Sequence, residues 1–330
     1  MNIAFRVDSS NFIGVGHLSR CLKLAEDLKK KCKKIIFITK KLNGNFNNLI
    51  KKKNFQIIFI KDTKLKNRSI NDLNNTKNIC KKFKINTLIL DHYYLGLSWE
   101  KKIKRHIDKL IVIDDFSKKK HHCDLIVNNL SKTNSNKTKH LTGLKYQIIP
   151  NNFLKKGKKK KSKKITIGTF FGSTDRKNCT ERLLKIFSHK EFHNFHFISI
   201  LGKNNKRKQR IIKRFKKYKN LCVEKKFVQM KNFYRKINVL ITVGGITSFE
   251  ALSSNIKCIY IPINYYQKTT CEYLKKCKIS NVLTYGKVFS KNGKILLNNC
   301  LKKILREKNP LEKNVRIDNL GSKRIADYIL

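Results

Sequence analysis

The stretch best furnished for chemistry is Arg6-Val7-Asp8-Ser9-Ser10-Asn11-Phe12-Ile13-Gly14-Val15-Gly16-His17, at the exit of the first apolar run. Gly14 and Gly16, spaced by one residue, permit backbone conformations and a close approach that other residues forbid. They predict a tight strand-to-helix turn with His17 opening the next helix. Amides and the positive end of a helix favour an anion there and disfavour an imidazolium. A neutral imidazole facing a polar cleft is what a general base near neutral pH requires. A plain tight turn with a histidine that merely caps a helix meets the same pattern, and spacing alone leaves both readings open. The dinucleotide fingerprint is excluded, because no glycine stands three residues beyond Gly16.

A second glycine pair lies in Val243-Gly244-Gly245-Ile246-Thr247-Ser248-Phe249-Glu250, again after an apolar run and before a helical pattern. Paired glycines beside hydroxyl side chains at a helix N-terminus form a phosphate cradle. Glu250, one turn inward, is placed to accept hydrogen bonds from a ribose diol. The same residues fit a capping box, with Thr247 as cap and Glu250 three residues on, and one helix end can serve both purposes. Phe171-Gly172-Ser173-Thr174-Asp175 repeats the strand–turn–helix arrangement. Asp91-His92-Tyr93 and Asp114-Asp115 each follow an apolar run, where carboxylates commonly cap loops. Nothing in their spacing opposes them across a sugar as glycoside hydrolysis requires. His121-His122-Cys123-Asp124 invites a metal reading, but adjacent histidines on an extended segment point apart and no second ligand cluster is suitably spaced. No metal site is expected.

The elements that must carry these residues alternate along the chain. Ile3–Val7, Ile35–Thr39, Gln56–Ile60, Thr87–Leu90, Leu110–Ile113 and Leu125–Val127 read as buried strands. In His17–Lys30, apolar residues recur at helical spacing. The lysine-laden segment 154–164 reads as a linker. A second series follows, with strands at Ile165–Thr169, Phe195–Leu201, Val239–Val243 and Cys258–Ile261. Its helices are expected near Asn178–Ser188, Arg207–Lys217, Ser248–Ser253, Thr269–Lys276, Lys294–Arg306 and Asn314–Ile329. Such order implies parallel sheets covered on both faces. The expected division is an N-terminal Rossmann-like domain, 1–153, and a C-terminal one, 165–330, whose last helix packs back on the first. Sheets of this kind bind ligands beyond the carboxyl ends of their strands, here in a cleft between the halves.

Composition constrains less than its extremity suggests. The 330 residues carry 77 Lys and Arg against 21 Asp and Glu, a formal net charge of +56. Such a field attracts nucleic acid or anionic lipid without a specific site. Yet the excess is mostly Lys, accompanied by abundant Asn, Ile and Phe and by only 3 Pro and 14 Gly, the residues an AT-rich genome supplies. Composition drift is the better account, and no zinc finger, RNA-recognition signature or basic-aromatic stripe is present. Ten scattered cysteines without a CxxC read as reduced thiols rather than a disulfide framework. With no signal-peptide pattern and no apolar run near the ~20 residues that span a bilayer, a soluble cytoplasmic chain is expected.

Taken together, the motifs resemble the UDP-2,4-diacetamido-2,4,6-trideoxy-β-L-altropyranose hydrolases of pseudaminic acid biosynthesis. Arg6 to Ser10 and Ile13 to Arg20 are similar to that family's opening signature, and Asp91-His92-Tyr93 to its Asp-His-Tyr element. Asp114-Asp115 with His122-Cys123-Asp124 and Asn128 resembles its next landmark, and Gly172 to Asn178 the one after. Gly244-Gly245, followed by Phe249 and Glu250, resembles its nucleotide loop. The landmarks run in order from Arg6 to Gln267. The resemblance implies an α/β fold of two Rossmann-like domains with parallel sheets facing across a cleft, GT-B-like. This architecture is related to the enzyme that adds N-acetylglucosamine to the lipid-linked peptidoglycan precursor.

It also implies metal-independent hydrolysis in which water attacks the anomeric carbon and UDP leaves, with His17 as base. Asp8, Gly14, Gly16, Arg20, Asp91, Tyr93, Gly172 and Ser173 are then expected around the sugar and water. Gly244, Gly245, Thr247, Ser248, Glu250 and Gln267 are expected around UDP. No cofactor is implied, and a monomer acting on a small UDP-sugar, without membrane or specific nucleic-acid partner, is expected. Three positions depart from the family pattern. Phe171 stands for a first glycine, Phe249 for a common tryptophan, and Tyr266 for the asparagine before Gln267, changes that bear on sugar selectivity more than on UDP binding. A GT-B glycosyltransferase using a UDP-sugar donor is the rival reading, and a non-enzymatic nucleic-acid binder a more distant one.

Overall fold

In the computed structural model, which describes residues 1–61, 68–115, 119–128, 130, 138–149, 164–224, 229–277, 279, 281–307 and 317–330, short β-branched runs form strands and longer amphipathic stretches form helices. Two compact units result: Met1–Asn151 with Asp318–Leu330, and Asn152–Ile317. Of the expected basic linker 154–164, only Lys164 falls within the described residues.

The first unit is a seven-stranded, wholly parallel sheet of β1 (Asn2–Val7), β2 (Lys34–Lys40), β3 (Gln56–Ile60), β4 (Thr87–Asp91), β5 (Lys109–Ile113), β6 (Leu125–Asn128) and β7 (Lys139–Thr142). Their spatial order is β3-β2-β1-β4-β5-β6-β7. Phe5 of β1 pairs with Phe37 on one side and Ile89 on the other, in the most buried row of the sheet. The order reverses between β1 and β4, so the connections leaving those two strands part and open a crevice at their carboxyl ends. The helices are α1 (Gly16–Leu28), α2 (Asn48–Lys52), α3 (Arg68–Lys82) and α4 (Leu97–Ile103). On α1 the expected apolar face, Leu18, Cys21, Leu22, Leu24, Ala25 and Leu28, packs into the core.

The second unit repeats the plan with β8 (Ile165–Phe170), β9 (Phe195–Ile200), β10 (Leu221–Glu224), β11 (Val239–Thr242), β12 (Lys257–Tyr260) and β13 (Asn281–Val282). The order is β10-β9-β8-β11-β12-β13, again all parallel, with the reversal between β8 and β11. Its helices are α5 (Cys179–Phe187), α6 (Lys208–Phe215), α7 (Met230–Lys236), α8 (Ile246–Ser253), α9 (Tyr265–Lys276), α10 (Tyr285–Val288) and α11 (Gly293–Arg306).

The last helix, α12 (Gly321–Ile329), belongs to the first unit, where Ile325, Ala326 and Ile329 join the core beside α1. It starts at Gly321, well after the expected Asn314. Asn319 has φ +59°, which breaks a helix, and a Cβ at Gly321 would stand 2.3 Å from the Gln147 carbonyl oxygen. Strands β7, β10 and β13 carry no clear sequence signal because each forms a sheet edge, is short, and tolerates polar residues. All ten cysteines are free thiols. Among the described residues no helix is long and apolar enough to cross a membrane.

Candidate active site

The crevice of the first unit is lined by the exits of β1 and β4 and by the start of α1. Ser10 shapes the turn between β1 and α1: its Oγ accepts from the amides of Phe12 and Ile13, and its carbonyl from Gly14 N at 2.7 Å. Gly14 has φ +84°, a conformation side chains resist. Gly16 has an ordinary φ, and a Cβ there would meet nothing within 4 Å. Its bareness therefore answers no need of the fold, and it leaves open space at the helix start.

His17, in the first turn of α1, is almost fully buried. Its Nδ1 lies 2.6 Å from Asp91 Oδ1. Burial pushes the Asp91 carboxyl up, but the Arg20 guanidinium and the His17 ring outweigh it and hold it well below the usual carboxylate range. An ionised carboxylate only accepts, so Nδ1 carries the hydrogen, and in the neutral tautomer that this selects Nε2 is the acceptor. Among the described residues Nε2 has no hydrogen bond. Arg20 Nη2 also stands 3.2 Å from Nδ1, but two donors face each other there and no bond forms.

Arg20 is instead a clamp. It donates to both oxygens of Asp91, at 2.6 Å from Nε and 2.7 Å from Nη2, and through Nη1 to both oxygens of Asp115, at 2.7 and 2.9 Å. Tyr93 donates to Asp115 at 3.2 Å and sets its ring edge-on to the imidazole, 4.2 Å between centroids. His17, Arg20, Asp91 and Tyr93 are thus one constellation, with Asp115, read in the sequence as a loop carboxylate and a family landmark but not as a site residue, as a further member.

Asp8 sits in a neighbouring network rather than in the constellation. The fully buried Arg6 donates to both its oxygens, at 2.7 and 2.8 Å, and also to Asp72 on α3. Lys40 N and Thr39 Oγ1 donate to Asp8 Oδ1, and His92 Nε2 to Oδ2 at 3.1 Å. His92 Nδ1 accepts from Tyr94 N, so this ring is neutral with both nitrogens engaged, and burial lowers its pKa. A carboxylate so fully partnered fixes the exit of β1 and has little left to offer a ligand.

In the second unit the corresponding reversal brings together the loops after β8 and β11. Gly172 has φ +81°. A Cβ at Gly202, which follows β9, would lie 2.2 Å from the carbonyls of Gly172 and Ser173, so a glycine unremarked in the sequence lets that loop seat. Ser173 Oγ is buried and has no partner among the described residues. Asp175 turns away and caps α5 through the amides of Cys179 and Thr180.

Gly244 has φ +93°, and a Cβ there would stand 2.3 Å from Cys271 Sγ and 3.2 Å from the Gln267 carbonyl, which places Gln267 beside the loop. The capping box does not form: Gly245 is the N-cap of α8, Thr247 is already inside the helix, and no side chain caps it. Glu250 instead accepts from Tyr234 Oη at 3.0 Å, a partner that no local sequence pattern announces. Burial lifts the Glu250 carboxyl to about 7, against a smaller downward pull from that hydrogen bond. Among the described residues its other oxygen has no hydrogen-bond partner. Gln267 has its Oε1 occupied by Ile263 N, which leaves its amide hydrogens to donate.

His121 is engaged by neighbouring carboxylates. Both nitrogens of His121 face carboxylates, Glu100 and Asp114. No cluster of three metal-ligating side chains occurs among the described residues.

Residues 166–326 match the family described as the glycosyltransferase family 28 C-terminal domain. An uncharacterized protein of Methanocaldococcus jannaschii is 29% identical over 298 residues, covering 84% of this chain but only 59% of that protein. The UDP-2,4-diacetamido-2,4,6-trideoxy-β-L-altropyranose hydrolase of Campylobacter jejuni is 28% identical over 290 residues, covering 84% of this chain and 97% of its own. The resemblance carried by the motifs is therefore supported over most of the chain. Solved structures of like fold include MurG of Acinetobacter baumannii (TM-score 0.71, 11% identical, 100% and 99% of the two chains covered). The calicheamicin glycosyltransferase CalG4 is another (TM-score 0.68, 10% identical, 100% and 97% covered). The fold is that of the GT-B glycosyltransferases.

Proposed function

We propose that this chain is a hydrolase of a UDP-activated diacetamido-trideoxy hexose, with His17 as general base. Nε2 takes a proton from water as the water oxygen bonds to the anomeric carbon. The bond from that carbon to the β-phosphate oxygen breaks, and its electron pair leaves with UDP. Asp91 holds the ring in the required tautomer and stabilises the imidazolium that forms. The loop from Gly244 to Thr247 presents backbone amides at the start of α8 to the diphosphate, with Gly172 and Ser173 contributing from the loop after β8. The free oxygen of Glu250 and the amide of Gln267 serve the uridine. UDP is a good leaving group, so positioning a water and receiving negative charge suffice without a metal or cofactor. In this reading the chain works as a cytoplasmic monomer.

The observation that carries the reading is the 2.6 Å bond from His17 Nδ1 to an ionised Asp91, which leaves Nε2 as an unengaged acceptor. The hydrolase relative lends the choice of substrate. His17→Ala should keep UDP affinity and lose about 10²–10⁴ in turnover, the usual contribution of a general base. Equal turnover by variant and parent would rule the role out.

The match to a glycosyltransferase domain favours one second reading, a transferase in which the same imidazole deprotonates an acceptor hydroxyl. Supplying the UDP-sugar alone separates the two: a hydrolase releases free sugar at a useful rate, and a transferase waits for an acceptor.

A further inference from the structure

His121 is a buried titratable group that the proposed reaction leaves unused. Its ring is held between carboxylates from two elements: Nδ1 lies 2.8 Å from Glu100 Oε1 on α4, and Nε2 lies 3.3 Å from Asp114 Oδ2 just beyond β5. Carboxylates only accept, so both ring nitrogens carry hydrogen and the ring is an imidazolium. Glu100 is fully buried, and its other oxygen accepts from His122 N at 2.7 Å. Asp114 is buried too, and its amide donates to the Val127 carbonyl of β6. The next residue is Asp115, which grips Arg20 and receives the Tyr93 hydroxyl.

We propose, resting on the reading of His17 as base, that His121 is a positioning residue: its imidazolium pins the Asp114–Asp115 turn, so that Asp115 holds Arg20 and Tyr93 where they orient Asp91 and His17. Two sets of charge-assisted hydrogen bonds, Glu100–His121–Asp114 and Asp115–Arg20–Asp91–His17, are joined through the Asp114–Asp115 peptide and so connect α4 to the first turn of α1. Such sets are stiff while complete and lose geometry when one member goes.

Among the described residues, the groups that interact with His121 are Glu100 from α4, Asp114 from the end of β5 and His140 from β7, while Cys123, two residues on, interacts with the same Glu100 and Asp114. Burial pulls the His121 imidazole down, but Asp114 and Glu100 outweigh this and lift it to about 9. His140 is lowered by burial and by the His121 charge, and burial lifts the Cys123 thiol to about 12. His121 is therefore the member of this group that changes charge near pH 9.

The test measures UDP release from the UDP-diacetamido-trideoxy hexose against pH for the parent chain, His121→Gln, Glu100→Gln and His17→Asn. The tautomer of the His17 ring is read in parallel from nitrogen-15 correlation spectra. The parent kcat should fall above about pH 9. His121→Gln should lower kcat about tenfold to a hundredfold, the scale of a small misplacement of a catalytic group, with KM little changed and the alkaline fall abolished. Glu100→Gln removes one of two supporting carboxylates and should move that fall to lower pH. In both variants His17 should lose its exclusive Nδ1–H form.

His121→Gln with the parent's kcat, pH profile and His17 tautomer overturns the proposal, while inactivity of His17→Asn then leaves the base reading standing. If His17→Asn turns over normally, the base reading falls. Positioning is then judged on the tautomer alone: an unchanged ring in both variants overturns it and an altered one sustains it. Should His121→Gln fail to fold, Glu100→Gln carries the same comparisons.

Discussion

Glu250→Gln gives the sharpest test of the second unit, because the buried carboxyl makes a signed, quantitative demand on stability. The side chain is buried, one oxygen is bonded to Tyr234, and the carboxyl titrates near 7 rather than 4.5. The folded state thus prefers the neutral acid. That preference contributes stability which is fully present below the unfolded value of about 4.5 and is lost as pH rises through about 7. At about 1.4 kcal/mol per pH unit the loss amounts to roughly 3 kcal/mol between pH 4.5 and 8. Glutamine keeps an acceptor for Tyr234 and never ionises. Its advantage over the parent should therefore grow by about that amount across the same window, while titrations common to both proteins cancel. Native-state amide exchange of β11 and α8, measured at several pH values without ligand, reads this unit selectively. A gap constant to within about 1 kcal/mol would refute the reasoning, since burial of an ionisable acid could not then be what distinguishes the two. The same variant should weaken UDP binding above pH 7 and remove any rise in affinity through that pH.

Asp91→Asn should lower turnover by about 10²–10⁴ at unchanged UDP affinity, because an amide cannot receive His17 Nδ1–H and both Arg20 bonds; steady-state kinetics with calorimetric UDP titration checks it. Gly16→Ala should raise thermal stability slightly, by about 0.5–1 kcal/mol, since its φ is ordinary and no atom lies near the new methyl, yet it should impair turnover where the substrate needs that space. Gly244→Ala should instead destabilise the second unit by about 1–3 kcal/mol, because φ is +93° and Cys271 Sγ blocks the methyl at 2.3 Å; urea unfolding distinguishes the two glycines. Ile325→Ala should cost about 2–5 kcal/mol in the first unit, since α12 completes the core against α1, and exchange protection should fall in α1 but not in α8.

What the sequence made legible, and what it hid, divides along physical lines. Strands β1, β4, β8 and β11 announce themselves by β-branched runs, and Gly14, Gly172 and Gly244 stand at their exits with the positive φ such turns demand. His17, Asp91 and Tyr93 follow because strand ends on either side of the order reversal are neighbours in space. Pairings between distant segments were not legible. Nothing in the spacing tells that Arg6 will seek Asp72 as well as Asp8, that Asp115 will hold Arg20, or that Tyr234 will hold Glu250. The Thr247–Glu250 spacing suggested a cap, yet the helix begins two residues earlier with Gly245 as its N-cap, and Glu250 finds its bond in α7. Gly202 was silent because its reason lies on the loop after another strand.

The interior differs in charge from the chain as a whole. The whole chain carries 77 Lys and Arg against 21 Asp and Glu. The described interior inverts the ratio. Eight acids are buried, namely Asp8, Asp72, Asp91, Glu100, Asp114, Asp175, Glu181 and Glu250, against Arg6, Arg20 and Lys40 alone among Lys and Arg. Removing one partner of a buried ion pair costs about 3–5 kcal/mol, so the carboxylates paired with Arg6, Arg20 and His121 are costly to replace. An exposed polar residue can become lysine at almost no cost. Among the described lysines only Lys40 is buried, and it pairs with Asp72, whereas the buried acids include those that hold Arg6, Arg20, His17 and His121. In a chain this basic, a buried acid is the more informative residue.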